Sequence, residues 1–330
     1  MKNLSKNQWL FIGLTSTLFV TLLLISAFLD LEVSNAIYNT KSILANLGDV
    51  LGTLPTFLFI PFLGATIFVK NFSKLNKNWK IIFKLGGIII TVAGYISLFI
   101  WAKENILKED LFLIYVYISV FTVLFSAFTL YIFTKLPKLF IEKLFIVLMF
   151  FAILAALTGL FTQLGKLFFA RQRYRTMVDS FYQNNKETIS SYWLGKGAFR
   201  PWYIPNSIIK PKYYTPEYKQ LFKSIDNGAF ASFPSGHTSS AGVSFGLIIF
   251  PMLSQKFNKN KWIFWLVPSL ITALTGISRV IYGAHFLSDV VVGGFLSLGI
   301  AVLTRFLIFK KIPALTNCFD EEVFIKVLEE

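Results

Sequence analysis

The sequence predicts an all-α fold, a polytopic bundle of about eight membrane-spanning helices, and three observations carry that expectation. Hydrophobic residues fill 55% of the 330 positions, with 37 Phe and a mean hydropathy of +0.62, well beyond the composition of a soluble domain. The apolar residues gather into runs close to the roughly 20 residues that carry a helix across a hydrocarbon core. Lysines collect between those runs, as they do in loops beside anionic lipid headgroups. The formal charge of +15 is therefore assigned to the membrane surface, which argues against nucleic acid as a partner. A single cysteine, Cys318, excludes an intrachain disulfide framework and a thiolate metal cluster.

In chain order the expected spans lie at 9–29, 53–69, 81–102, 111–134, 144–169, 236–253, 262–278 and 286–309. The first run exceeds the roughly 7 to 15 apolar residues of a signal peptide, and no small-x-small cleavage pattern follows, so it reads as a retained helix. The second is interrupted by Pro55, Pro61 and Gly64, and a re-entrant segment is the alternative there. Short-loop charge sets the orientation. With the N-terminus cytoplasmic, Lys2, Lys6, Lys70, Lys74, Lys77, Lys80, Lys84, Lys135, Lys138, Lys143, Lys256, Lys259, Lys261, Lys310 and Lys311 all fall inside. The short outer loops then hold Lys41, Lys103 and Lys108 beside Asp30, Glu32, Asp49, Glu104, Glu109 and Asp110. Both termini are expected inside a bacterial-type inner membrane, which puts Lys166, His237, Arg279 and His285 at the outer ends of their helices.

The one long loop, 170–234, mixes bases such as Arg171, Arg173, Arg175 and Arg200 with Tyr192, Trp193, Trp202, Tyr203, Tyr213 and Tyr214. That mixture suits the headgroup zone, either as an interfacial cap or as a surface that meets substrate. The tail at 320–330 has the pattern of a short acidic amphipathic helix.

Three stretches carry candidate chemistry. Lys166 and Arg173 are seven residues apart, about two turns, so a continuing helix would turn both toward one anion. Snorkelling at a helix end is the plainer explanation of such a pair. Pro234-Ser235-Gly236-His237 enters the sixth run, where free N–H groups, a hydroxyl and a glycine favour a bound anion; an ordinary helix start with an interfacial His237 is the alternative. Ser278 to Asp289 places Arg279, Gly283, His285 and Asp289 between two apolar runs. His285 and Asp289 are four apart, on one face of a helix if it begins before them, so the carboxylate can hold the imidazole. A purely structural His/Asp pair explains Asp289 but not the arrival of Arg279 and His237 at the same face.

These stretches resemble the three-part signature of the type 2 phosphatidic acid phosphatase (PAP2) superfamily: Lys-x6-Arg-Pro, Pro-Ser-Gly-His and Ser-Arg-x5-His-x3-Asp. The second and third match in full, while the first has Tyr174 where Pro is usual. The resemblance covers 144–311, with N-terminal helices at 1–143 partly additional to the usual six-helix core and a cytoplasmic tail at 312–330. It implies that His285 attacks phosphorus, oriented by Asp289, and that His237 serves the leaving group. Lys166, Arg173, Ser235, Gly236 and Arg279 would bind phosphoryl oxygens. No cofactor and no metal are expected, because the three cations supply charge that Mg²⁺ would bring and would repel a metal from a two-His, one-Asp site.

The implied function is an integral-membrane phosphatase for a lipid phosphate monoester or diphosphate at the outer face. Phosphatidate, phosphatidylglycerol phosphate, undecaprenyl or another polyprenyl diphosphate, and lipid A phosphates are the candidate substrates. A lipid phosphotransferase with the same intermediate and a non-catalytic transporter of anionic lipid are the alternatives. The bilayer and its lipid phosphates are the expected partners, with no obligate protein partner.

Overall fold

A computed structural model describes residues 6–104, 112–178, 199–204, 220, 223, 226–312 and 316. Among them the regular elements are helical: α1 (Lys6–Ile37), α2 (Ile43–Leu58), α3 (Ile60–Val69), α4 (Lys77–Ala102), α5 (Phe112–Lys135), α6 (Lys138–Phe169), α7 (Tyr174–Met177), α8 (Gly236–Ala241), a 3₁₀ segment (Gly242–Ile249), α9 (Phe250–Leu253), α10 (Gln255–Lys259), α11 (Ile263–Ile281) and α12 (Leu287–Lys311). Among the described residues seven stretches are long and apolar enough to cross a membrane. Their large apolar side chains, Phe28, Leu14 and Phe128 among them, stand exposed, as lipid-facing sides do. Much of the expected loop, with Tyr192, Trp193, Tyr213 and Tyr214, and the expected tail helix at 320–330 lie outside the described residues.

The expected spans recur with four changes, of which one is that the fifth begins six residues early, at Lys138. The first helix runs on to Ile37, because Asp30 and Ser34 are satisfied where they stand; the Ser34 hydroxyl donates to the Asp30 carbonyl at 2.9 Å. The second begins ten residues earlier than expected, at Ile43, and spans 27 residues to Val69 in two pieces broken at Phe59. Pro61 sits in the first turn of α3, where a missing N–H costs no hydrogen bond. The sixth is helical from Gly236 to Leu253 but passes from α to 3₁₀ and back instead of forming one regular helix.

The described residues divide into two compact units. One comprises residues up to 48, 159–239 and 272–296. Its apolar core joins Tyr174, Met177, Ala229, Phe230 and Phe286, with Leu31, Tyr38 and Phe199 packed against them. The other comprises 49–158, 240–271 and the residues from 297 on. Within it Ala65, Phe133 and Ile141 form one cluster and Val147, Phe150, Ile249 and Leu253 another. Its α3 and α4 pack backbone to backbone: a Cβ on Gly64 would lie 2.4 Å from the Thr91 amide. Polar groups there find partners, as in the 2.6 Å bond between the Tyr95 and Thr129 hydroxyls.

Candidate active site

All eight residues singled out from the sequence lie in the first unit. The helix carrying Lys166 ends at Phe169, where Ala170 turns into the left-handed region at φ 43 and its amide closes on the Lys166 carbonyl at 3.0 Å. This corrects the expected helical continuation from Lys166 to Arg173. Residues 171–173 lie outside any helix, and Arg173 (φ −75, ψ 145) is the N-cap of α7. Neighbouring segments hold it there, through the Arg173 amide on the Ala229 carbonyl (2.8 Å), the Ser232 amide on the Arg171 carbonyl (3.0 Å) and the Arg175 amide on the Gly283 carbonyl (2.8 Å). Lys166 and Arg173 still interact electrostatically, brought together by these contacts rather than by helix periodicity.

Tyr174 stands where the signature has Pro, and it is the first residue of α7. That position needs no N–H donor, and the extended Arg173 before it has the backbone a pre-proline residue adopts. The backbone slot is thus kept. The phenol adds a hydrogen bond to Asn35 Oδ1 at 2.7 Å and an edge contact with Tyr38 at 5.2 Å.

At the second stretch the Ser235 amide donates to the Asp289 carbonyl at 2.9 Å, and its hydroxyl accepts from the Thr238 amide at 3.3 Å, a capping bond. Gly236 follows against Lys166: a Cβ there would sit 2.9 Å from the ammonium nitrogen. A side chain would therefore compete with the cation for the same space.

The third stretch is set by a turn. Arg279 is in the last turn of α11, nearly fully buried, donating to the Ala45 carbonyl at 3.1 Å with its guanidinium over the Tyr282 ring at 4.8 Å. Gly283 has φ +70, a backbone state only glycine takes readily, and reverses the chain into His285. Asp289, in the first turn of α12, accepts from the Phe286 amide (2.8 Å), the Ser232 hydroxyl (2.5 Å) and Arg171 (2.7 Å). Its carboxylate is 3.7 Å from His285 Nδ1, an ion-pair distance; the direct hydrogen bond from that nitrogen goes to the Ser232 carbonyl at 2.6 Å. The expected hold of Asp289 on the imidazole is therefore shared with Ser232.

A carbonyl only accepts, so Nδ1 carries the proton and Nε2 keeps its lone pair. Burial pushes the His285 imidazole down to about 4 against the pull of Asp289, so it is neutral at pH 7. Its ring centroid is 6.5 Å from that of the half-buried His237, with the planes at 57°. Arg279, Lys166 and Arg173 all lie within electrostatic reach of His237. The arrangement is two neighbouring imidazoles with three cations in electrostatic reach. Among the described residues no group of three or more His, Cys, Asp or Glu is gathered to hold a metal ion.

Three charged participants escaped the sequence reading. Arg171, counted among loop bases, is buried and bridges Asp289 and Asp30 at 2.7 and 3.0 Å. Asp30, counted among outer-loop acids, is 1% exposed on α1, and its position directly after an apolar run was the available signal. Asp226 pairs with Arg175 at 2.6 Å and Arg173 at 3.3 Å. Burial pushes its carboxyl up, but Arg175, Arg173 and the Gly228 amide together hold it below the usual range.

A family model described as the PAP2 superfamily matches residues 146–313, which include all eight site residues. A curated relative, phosphatidylglycerophosphatase B of Bacillus subtilis (strain 168), is 39% identical over 71 residues, 21% of this chain and 34% of the relative. The match thus spans about a third of that relative's length. No solved structure matches the chain significantly.

Proposed function

The chain belongs to the PAP2 superfamily, and from that premise we propose that it is an integral-membrane phosphatase cleaving a lipid phosphate monoester or diphosphate through a phosphohistidine. The observation that carries this reading is the pair of neighbouring imidazoles, ring centroids 6.5 Å apart, with Lys166, Arg173 and Arg279 in electrostatic reach and His285 Nδ1 committed to a carbonyl. A phosphoryl group between the two rings would meet a neutral nucleophile on one side and, once its own charge has protonated His237, a proton donor on the other.

In the first step His285 Nε2 gives its lone pair to phosphorus, and the bond from phosphorus to the lipid oxygen breaks with its pair on that oxygen. His237, which takes up a proton when the substrate's negative charge offsets the cations around it, passes that proton to the leaving oxygen. In the second, water attacks phosphorus, His237 takes the water proton, and the P–N pair returns to Nε2. Lys166, Arg173, Arg279, Ser235 and the Gly236 amide hold the phosphoryl oxygens and offset their charge, so the chemistry proceeds without a metal.

The lysine asymmetry supports an N-in, C-in topology with the site at the outer headgroup plane, where a substrate keeps its tails in the bilayer. The bacterial relative's name puts phosphatidylglycerol phosphate first among the substrates to try. The test is phosphate release by purified protein from phosphatidylglycerol phosphate, phosphatidate, a polyprenyl diphosphate and lipid A, with His285→Ala, His237→Ala and EDTA controls. The His285 variant should lose at least about a thousandfold in kcat, as removal of a nucleophile does. Wild-type rates in that variant, or inhibition by EDTA, would overturn the mechanism. Transfer of phosphate to an added lipid alcohol in place of water would make the protein a phosphotransferase.

A further inference from the structure

Behind the His285 ring lies a buried cluster of two carboxylates and one guanidinium. Asp30, Arg171 and Asp289 are 1%, 3% and 0% exposed. Arg171 Nη2 donates to Asp30 Oδ2 at 3.0 Å, while Nη1 donates to Asp289 Oδ1 at 2.7 Å and to the Ser288 hydroxyl at 2.8 Å. Its Nε donates to the Arg200 carbonyl at 2.9 Å, and its plane lies 4.0 Å from the Phe286 ring centroid. Asp30 accepts from the Ser288 amide at 2.8 Å and from its hydroxyl at 2.5 Å, three donors in all with Arg171, the coordination of an ionised carboxylate. The cluster reaches the nucleophile twice. Asp289 Oδ2 takes the Ser232 hydroxyl, and the Arg171 carbonyl takes the Ser232 amide; Ser232 in turn offers its carbonyl to His285 Nδ1.

We propose that Asp30 and Arg171 are positioning residues for the phosphoryl-transfer step, with Asp30 supplied by a helix outside the family-matched stretch of 146–313. The proposal rests on the phosphatase reading above. Arg171 alone would cancel the charge of Asp289. Asp30 restores one net negative charge behind the ring. When phosphorus bonds to Nε2 while Nδ1 keeps its proton, the imidazole becomes cationic, and a fixed negative charge in a dry site stabilises that state without reorganisation. The cluster also fixes Ser232, and hence the tautomer that leaves Nε2 unprotonated. It touches no phosphoryl oxygen, so it acts on turnover and not on phosphate binding.

The experiment compares wild type, Asp30→Asn, Arg171→Lys and Ser288→Ala as purified full-length protein in detergent. It measures kcat and KM on the best lipid substrate and Ki for inorganic phosphate, with a thermal melt for each variant. Asp30→Asn should lower kcat about tenfold, the size of a modest transition-state electrostatic loss, with KM and the phosphate Ki within about twofold of wild type. The Asp30→Asn, Arg171→Lys double variant should lose less than the product of the two single losses, because the residues act as one unit. Wild-type kcat in folded Asp30→Asn overturns the proposal, as does a phosphate Ki that rises in step with the fall in kcat. If Asp30→Asn does not fold, Ser288→Ala decides by the same split between kcat and Ki. Activity in wild type and its loss in His285→Ala, beside full activity in Asp30→Asn, sinks this inference alone; no phosphate release by wild type from any lipid sinks the phosphatase reading itself.

Discussion

Replacing Gly236 by Ala tests the phosphate cradle with the least disturbance to the fold. The new Cβ would lie 2.9 Å from Lys166 Nζ and 3.6 Å from Cε, with the Thr162 methyl at 3.9 Å. Relaxed contacts of this kind sit at roughly 3.5 to 4 Å, so the ammonium must retreat by roughly 0.6 to 1 Å. Lys166 is long and half-buried, and it can retreat without moving backbone. The fold gains, since Gly to Ala at a backbone position Ala can adopt stabilises by about 0.4 to 1 kcal/mol through the unfolded chain. The site loses, because a displacement near 1 Å in a positioned catalytic group can cost about a hundredfold. The expected result is a ten- to hundredfold fall in kcat/KM, about 1.4 to 2.7 kcal/mol of transition-state stabilisation, with a thermal midpoint equal to or above wild type. Phosphate release from lipid micelles and a thermal melt on the same preparation measure both. Activity within about twofold of wild type would refute the idea that the Lys166 ammonium is held against Gly236 to meet the phosphoryl group.

Three other outcomes follow from the geometry. His285, held at about 4 against an ordinary 6.5, takes up no proton in the folded state over a range where the unfolded chain does. His285 should therefore contribute a loss of about 1.4 kcal/mol of stability per unit as pH falls between those values, and melts of His285→Ala over the same range should fall off less steeply than wild type by that amount. Asp226, whose folded pKa is depressed, stabilises above the ordinary carboxylate value and loses that contribution as pH falls through its lowered one. Asp226→Asn should thus melt lower than wild type at pH 7, with the gap closing in acid, and should raise KM by loosening Arg173. Tyr174→Phe removes the 2.7 Å bond to Asn35 and should cost about 1 kcal/mol with activity retained; Tyr174→Pro should also turn over, within about threefold of wild type, since the backbone before it already has the pre-proline form.

The spans were legible because bilayer thickness writes itself into run length, and the ends of α4, α5 and α11 fall within four residues of expectation. The candidate residues were legible because histidine, arginine and aspartate beside apolar runs demand a reason. Arg171 and Asp30 were not, because each looks like an ordinary loop charge until the other is seen beside it. The stop at Ala170 escaped because an alanine carries no turn signal, and a non-glycine residue at positive φ is set by the contacts around it rather than by its own preference. Ser232 was invisible for a further reason: its decisive atom for the histidine is a backbone carbonyl, which every residue has.

Tyr174 has a consequence for how chains of this kind are found. What the site requires after Arg173 is a residue that starts a helix without using its N–H, and proline is one of several that qualify. A search written with an obligatory proline would pass over this protein although its backbone path is intact. The tyrosine also fastens the segment after Arg173 to α1 with a phenol that proline lacks, so a spelling error in the signature works here as a rivet.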